Sequence, residues 1–204
     1  TEPPAPVAAA MAESDVFVAP TTKSLSHTRA RGAACAADAR GATLPGITQS
    51  VFETGLDADY DAIDAACDSV LAAVGDASTV RVTAPAGTDL TVEVGDREWL
   101  ADRGVVHAPG AFSNLPAGEV FLAPETASGT VVVDGTMLPH GRLESGRSVS
   151  IEVADGLVTT IDDDAVCADV EAAAASVGDD AYTFAELGIG TNVGVDRLVG
   201  SVLL

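Results

Sequence analysis

Lysine is nearly absent from this chain. Lys23 is the only one, and just 10 lysines and arginines face 31 aspartates and glutamates, a formal net charge of -21. Nucleic-acid binding rests on basic contacts to phosphate, so no nucleic acid is expected as a partner, and an anionic membrane surface is excluded on the same ground. Cysteine is scarce and odd in number: Cys35, Cys67 and Cys167 are far apart and form no CxxC pair. That count excludes a zinc ribbon or a disulfide framework and fits reduced thiols in a cytoplasmic protein. Only three histidines occur, His27, His107 and His140, and none stands in HExxH or another paired ligand spacing, so zincin-type chemistry is absent. No apolar run approaches the ~20 residues that span a bilayer. The start, Thr1-Glu2-Pro3-Pro4-Ala5-Pro6, has neither the basic nor the apolar segment of a signal peptide.

What is present is acid, alanine, valine and glycine on 204 residues, enough for one large domain or two small ones with a real core. Self-repulsion at this charge destabilises the compact state at low salt and is screened at high salt. The composition resembles that of proteins from salt-accumulating, halophilic microbes. With no initiator Met and the apolar end Val202-Leu203-Leu204, the chain reads as a fragment cut at both ends.

The first 54 residues read as the tail of an α/β domain. "PVAAAMAESD" (6–15) closes a helix, "DVFVAP" (15–20) is a short buried strand, an Ala-rich helix follows and ends near Gly41, and "ATLPG" is a second strand with a turn. Strand, helix, strand in about 30 residues favours a parallel sheet. Residues 55–75 carry Tyr60, Ile63, Cys67, Val70, Leu71 and Val74 at helical spacing, with Gly75 as the stop, and predict a connecting helix. Residues 76–204 turn β-rich. "STVRVTAPAGTDLTVEVGDREW" alternates like a hairpin, "EVFLAP", "GTVVVDGTML" and "RSVSIEVADGLVTTIDDD" add strands with a tight turn at Ala154-Asp155-Gly156, and "AVCADVEAAAASVG" (165–178) is a helix. The fold class is therefore α/β, or α+β taken overall: the end of a parallel α/β domain followed by an incomplete β-rich domain.

The residues offer few chemical constellations. "TTKSLSHT" places Ser24 and Ser26 near Lys23 and His27, but there is no third group and no GxSxG elbow. The stretch reads either as a ligand-facing strand-to-helix loop, since open α/β sheets bind at the carboxyl ends of their strands, or as a plain helix cap. "GIGTN" (188–192) lacks the P-loop register and the full GxGxxG, and reads as a tight turn with a solvated Glu186 ahead of it. Glu119 follows Asn-Leu-Pro-Ala-Gly and precedes a strand-like run; spacing alone leaves a polar turn and a metal ligand equally open.

Four stretches in order, "GTDL" (87–90), "GAFSNLPAGEVFLAP" (110–124), "GTVVVDG" (129–135) and "AELGIGTN" (185–192), resemble the aminopeptidase T / aminopeptidase S family of metallopeptidases, in particular its archaeal leucyl aminopeptidase-like branch. The resemblance implies an N-terminal α/β domain and a C-terminal metal domain. It implies two divalent cations (zinc, cobalt or magnesium), a peptide substrate with a free N-terminus, and a homodimer of the full-length protein. By match to the family's motifs, Glu119 and Glu186 take the places of two metal-binding glutamates, while no residue takes a catalytic place. The reaction implied is two-metal hydrolysis. The family's histidine ligands would fall beyond Leu204, so the 204 residues alone are expected to be inactive. Two other readings compete: a non-haem iron dioxygenase that opens dihydroxypyridine-type rings on a related fold, and a non-catalytic remnant or assembly module.

Overall fold

The computed structural model describes residues 2–195 and 198. The apolar terminus Val202-Leu203-Leu204 lies outside the described residues. Helix α1 (Ala5–Ala12) leads into strand β1 (Val16–Ala19), helix α2 (Arg29–Ala36) and strand β2 (Arg40–Thr43). β1 and β2 pair in parallel, Phe17 opposite Gly41. A Cβ on Gly41 would collide with the Phe17 ring. This glycine is therefore a strand residue that admits an aromatic, and not the stop of the preceding helix as its position suggested. α2 ends earlier, at Ala36, and starts where the Thr28 hydroxyl accepts from the Arg31 N–H at 3.2 Å. The Glu2 carboxylate accepts from two more free N–H groups, those of Arg29 at 2.8 Å and Ala30 at 3.2 Å. β1 is buried on one face only: Phe17 packs with Met11, Ala34 and Ala39, whereas Val16 and Val18 stay exposed.

Helix α3 (Gln49–Gly55), capped by Thr48, breaks a stretch that carries no clear helical period and was not anticipated. Helix α4 (Tyr60–Val74) forms where helical spacing predicted one. Asp59 caps it by accepting from Asp61 and Ala62 N–H at 3.1 Å, and Gly75 stands at its C-terminal end. Its buried side, Ile63 and Cys67 at 0 % exposure, receives Val120. The Arg103 guanidinium bonds to both Asp64 and Asp68, one turn apart on α4, and ties the helix to the strand that ends at Asp102.

The rest is β-rich, as expected. β3 (Thr79–Thr83) and β4 (Asp89–Glu93) form the predicted hairpin. β5 (Leu100–Asp102), β6 (Phe112–Asn114), β7 (Glu119–Leu122), β8 (Thr126–Val133), β9 (Thr136–Met137), β10 (Gly141–Arg142), β11 (Val149–Ala154) and β12 (Leu157–Ile161) follow. Helix α5 (Asp164–Val177), a 3-10 turn at Gly178–Tyr182 and β13 (Leu187–Gly190) complete the described chain. Asp155 and Gly156 both have positive φ, 50° and 79°, which makes the β11–β12 connection the tight hairpin turn read from the sequence. A five-stranded antiparallel sheet, β12-β11-β8-β4-β3, holds the core of Leu90, Val92, Ala127 and Val153.

Two pairings position the candidate site. β6 returns to the N-terminal sheet and extends it in parallel to the order β1-β2-β6. β7 is the centre of a separate antiparallel sheet, β13-β7-β5. "GIGTN" is therefore not a tight turn: Gly188 and Gly190 are strand residues, paired with Phe121 and Glu119. The architecture is mixed α/β, and among the described residues no helix is long and apolar enough to cross a membrane.

Candidate functional site

Strand alternation sorts β7 into two faces. Val120 and Leu122, both 0 % exposed, point toward the core, with Val120 packed on α4. Glu119 and Phe121 therefore take the other face. The register puts Asp102 opposite Glu119 on one side and Gly190 opposite it on the other. Period-2 alternation then places Gly188 on the same face, and Glu186 in line with it just ahead of β13. Three carboxyl-bearing residues from three segments, Asp102, Glu119 and Glu186, thus share one face of a sheet.

The glycines make room for this. A Cβ on Gly188 would run into the Glu119 carboxylate, so the side chain of Glu119 lies directly over that residue. Gly118, at φ 125°, brings the backbone against Asn192, where any Cβ would meet Asn192 N at 2.6 Å. The contact is closed by two hydrogen bonds: Thr191 N–H donates to Gly118 O and Asn192 Nδ2 to Ala117 O, both at 2.8 Å. The Asn-Leu-Pro-Ala-Gly turn and the "GIGTN" segment are thus one clasp that fixes where Glu119 emerges.

Electrostatics follow from the crowding of acids. Glu119 is half-buried, and desolvation, then the neighbouring charges of Glu186 and Asp102, push its carboxyl above the usual carboxylate value. Burial also raises Asp102, opposed by the hydrogen bond from Ser113 Oγ and by the backbone N–H groups of Gly104 and Asn114. Desolvation, with a smaller contribution from the Asp102 charge, raises the Tyr60 phenol at the start of α4. Ser113 belongs to β6, so its bond to Asp102 joins the parallel sheet to the carboxyl-bearing sheet.

The structure brings Glu119 and Glu186 onto one face, Glu186 exposed and Glu119 half-buried. It does not bring the histidines there. His140 Nε2 lies 2.8 Å from Asp169 Oδ2, the backbone carbonyl of His107 accepts from Arg40, and exposed His27 sits in the β1–α2 loop. Among the described residues, no group of three or more His, Cys, Asp or Glu side chains converges so as to hold a metal ion. Asp102, Ser113 and Tyr60 were missed from the sequence because only the β5–β7 register and the β6 crossover make them neighbours.

Among solved structures, the chain is similar to a 2,5-dihydroxypyridine dioxygenase from Pseudomonas putida KT2440, with TM-score 0.71 and 19% identity over 91% of this chain and 53% of that one. It is also similar to wild-type AmpT from Thermus thermophilus, with TM-score 0.57 and 17% identity over 92% of this chain and 59% of that one. At these identities the likeness establishes the fold alone, and the chain spans a little over half the length of either structure. No curated protein matches. A family model described as NicX, 2,5-dihydroxypyridine 5,6-dioxygenase, matches residues 3–196. That match overturns the assignment to the aminopeptidase T / aminopeptidase S family, and with it the expected hydrolase, protease and leucyl aminopeptidase activity and the two-metal hydrolytic site. The four stretches behind that assignment include the Glu119 clasp, which is scaffold, and a scaffold is shared more widely than the chemistry built on it. On the strength of a match that runs over nearly all of its length, this chain belongs to the NicX family of 2,5-dihydroxypyridine 5,6-dioxygenases.

Proposed function

We propose that the chain is part of a ring-opening dioxygenase that breaks the C5–C6 bond of a 2,5-dihydroxypyridine-type ring and places both atoms of O2 in the product. One observation carries this reading, the family match over residues 3–196. The family implies a metal, which we take to be a single non-haem iron rather than a pair of zinc, cobalt or magnesium ions. The described residues do not fit such an iron on their own. Non-haem iron oxygenases draw on two imidazoles and a carboxylate, and here the three histidines lie apart from the carboxyl-bearing face, with no converging group of ligands. No step through iron is therefore derived for this chain.

What its own residues contribute is a place for the ring and for a proton. Opening a hydroxylated ring requires a hydroxyl proton to leave. A carboxyl held above its usual range by burial and by neighbouring acids, as Glu119 is, takes a proton at Oε more readily than an ordinary glutamate. Asp102, fixed by Ser113, and exposed Glu186 complete that face. The test is an absorbance titration of the chain with 2,5-dihydroxypyridine under argon. Saturable perturbation of the ring spectrum, weakened in Glu119→Gln, is expected. A spectrum that follows simple dilution overturns the reading.

A further inference from the structure

The five-stranded sheet ends at a cavity that takes no residue from the carboxyl-bearing face. β8 and β11 are antiparallel neighbours with Val133 opposite Val149, so residues 134–148 leave the sheet and return to it at one point. That excursion contains the β9–β10 hairpin, in which Thr136 pairs with Arg142. Between it and Ala86, in the turn of the β3–β4 hairpin, lies a cavity of about 400 Å³, inside the range of roughly 300–1,000 Å³ that small-molecule sites occupy. Asp102, Glu119 and Glu186 take no part in its lining.

The excursion is held from several sides, as a binding loop on a rigid scaffold must be. Leu143 is 6% exposed and packs with Val149 and Val166, which seats the loop on α5. The Leu143 N–H donates to Gly135 O at 2.8 Å, and the Arg147 N–H donates to Glu144 O at 2.9 Å, closing a turn with Gly146 at φ 84°. Arg147 Nη2 donates to Asp163 Oδ2 at 2.6 Å, while Asp163 Oδ1 accepts from the Ala165 and Val166 N–H groups and caps α5. His140, in the β9–β10 turn, places Nε2 2.8 Å from Asp169 Oδ2 further along the same helix. Two side-chain contacts to α5 thus fix the loop, one at Arg147 and one at the hairpin tip.

The charge of the lining runs against that of the chain. Overall, 31 acids face 10 lysines and arginines. In the cavity two guanidiniums, Arg142 and Arg147, face one carboxylate among the described residues, Asp134. Asp163 stands behind Arg147 and outside the lining. In a chain whose own field repels anions, this cationic excess is a local exception. A guanidinium is a planar fork that matches the paired oxygens of a carboxylate or a phosphate. The hydroxyls of Ser145 and Ser148 line the same cavity and rotate to suit an acceptor, and Leu143 supplies an apolar wall.

We propose that this cavity is a binding site for a small oxyanion, a carboxylate or a phosphate, held between Arg142 and Arg147. The inference does not depend on the ring-cleaving reading. It is tested on the full 204-residue chain by NMR of the arginine Nε–H resonances. The chain is titrated with inorganic phosphate and, separately, with succinate, lowering KCl to hold the ionic strength at about 0.5 M so that its own acids are screened. Saturable shifts are expected at Arg142 and Arg147 and none at Arg97, which is exposed and outside the cavity. Saturation by phosphate alone identifies a phosphoryl ligand, by succinate alone a carboxylate, and by both a site that reads the shared oxyanion. Arg142 is exposed, so Arg142→Gln is expected to keep the circular dichroism of the parent while affinity falls about 10- to 100-fold, the worth of a hydrogen bond between charged groups. Arg97→Gln is expected to bind as the parent does. Shifts that are absent, that never saturate or that appear equally at Arg97 overturn the proposal, as does a folded Arg142→Gln variant that binds as tightly as the parent. Should Arg142→Gln not fold, the shifts of the unsubstituted chain decide.

Discussion

Replacing Gly188 by alanine should move one carboxylate and little else. Gly188 lies within β13, and its φ is outside the left-handed region, so its backbone accepts an alanine without strain. The added Cβ would lie 3.0 Å from Glu119 Cδ and 3.6 Å from Cγ. Cγ is already at ordinary contact distance and can stay, whereas Cδ must retreat by at least 0.4 Å to reach 3.4 Å. The terminal oxygen, nearer still, must swing by on the order of 1 Å. That swing is a rotation of a flexible side chain and not a backbone shift. Removing a glycine from a strand interior offsets it by roughly 0.5–1 kcal/mol. Gly188→Ala is therefore expected to melt within about 2 °C of the parent, while displacing Glu119 by a distance that can cost about 100-fold where geometry governs a reaction. Two measurements decide: thermal unfolding, and the titration of the Glu119 side-chain carboxyl followed by NMR. A titration curve superimposable on that of the parent would show that Glu119 does not lie over Gly188. A drop in melting temperature of 10 °C or more would show that backbone and not side chain had to yield. Either result refutes the reasoning.

Two further outcomes follow from charge. Glu119 has its folded pKa raised above the ordinary 4.5, so its contribution to stability is fully present below that value and is lost as pH rises through the folded pKa. Glu119→Gln should accordingly melt higher than the parent at pH 8, with the gap closing by pH 4; a constant gap across that range would show that the carboxyl is not destabilised by burial and its acidic neighbours. With a net charge of -21, the melting temperature of the chain should climb between 50 mM and about 1 M KCl as repulsion is screened within a Debye length of ~3 Å. A flat salt dependence would mean that the acids are already compensated in pairs.

The sheet register explains both what was legible at the candidate site and what was not. Glu119 could be singled out because a turn motif precedes it and an alternating strand follows, and Glu186 because it heads a glycine-rich segment. Their common face could not be read, since it depends on Gly190 pairing with Glu119 and Asp102 pairing with it from the other side. The glycines of "GIGTN" suggested a turn because glycine is permissive. In the structure the absence of a Cβ on Gly188 serves a carboxylate instead of a bend. The family was misread for a related reason. Gly118 against Asn192 and the bond from Asn192 to Ala117 build a clasp between two strands, and a clasp of that kind specifies a fold without naming a reaction.

Local patterning alone determined the βαβ start, the amphipathic helix α4 with its Gly75 end, the β3–β4 hairpin and the Asp155-Gly156 turn, because periodicity and turn residues act over a few neighbours. Composition likewise determined the acidic surface charge. Tertiary structure decided that β6 joins a sheet whose nearer strand, β2, lies some 70 residues earlier, that three carboxyl groups gather on one face, and that Ser26, Thr43 and Asn114 meet in one hydrogen-bonded cluster. Contacts between distant segments are set by which registers bury apolar side chains and satisfy polar ones at once, and no short stretch of sequence carries that information.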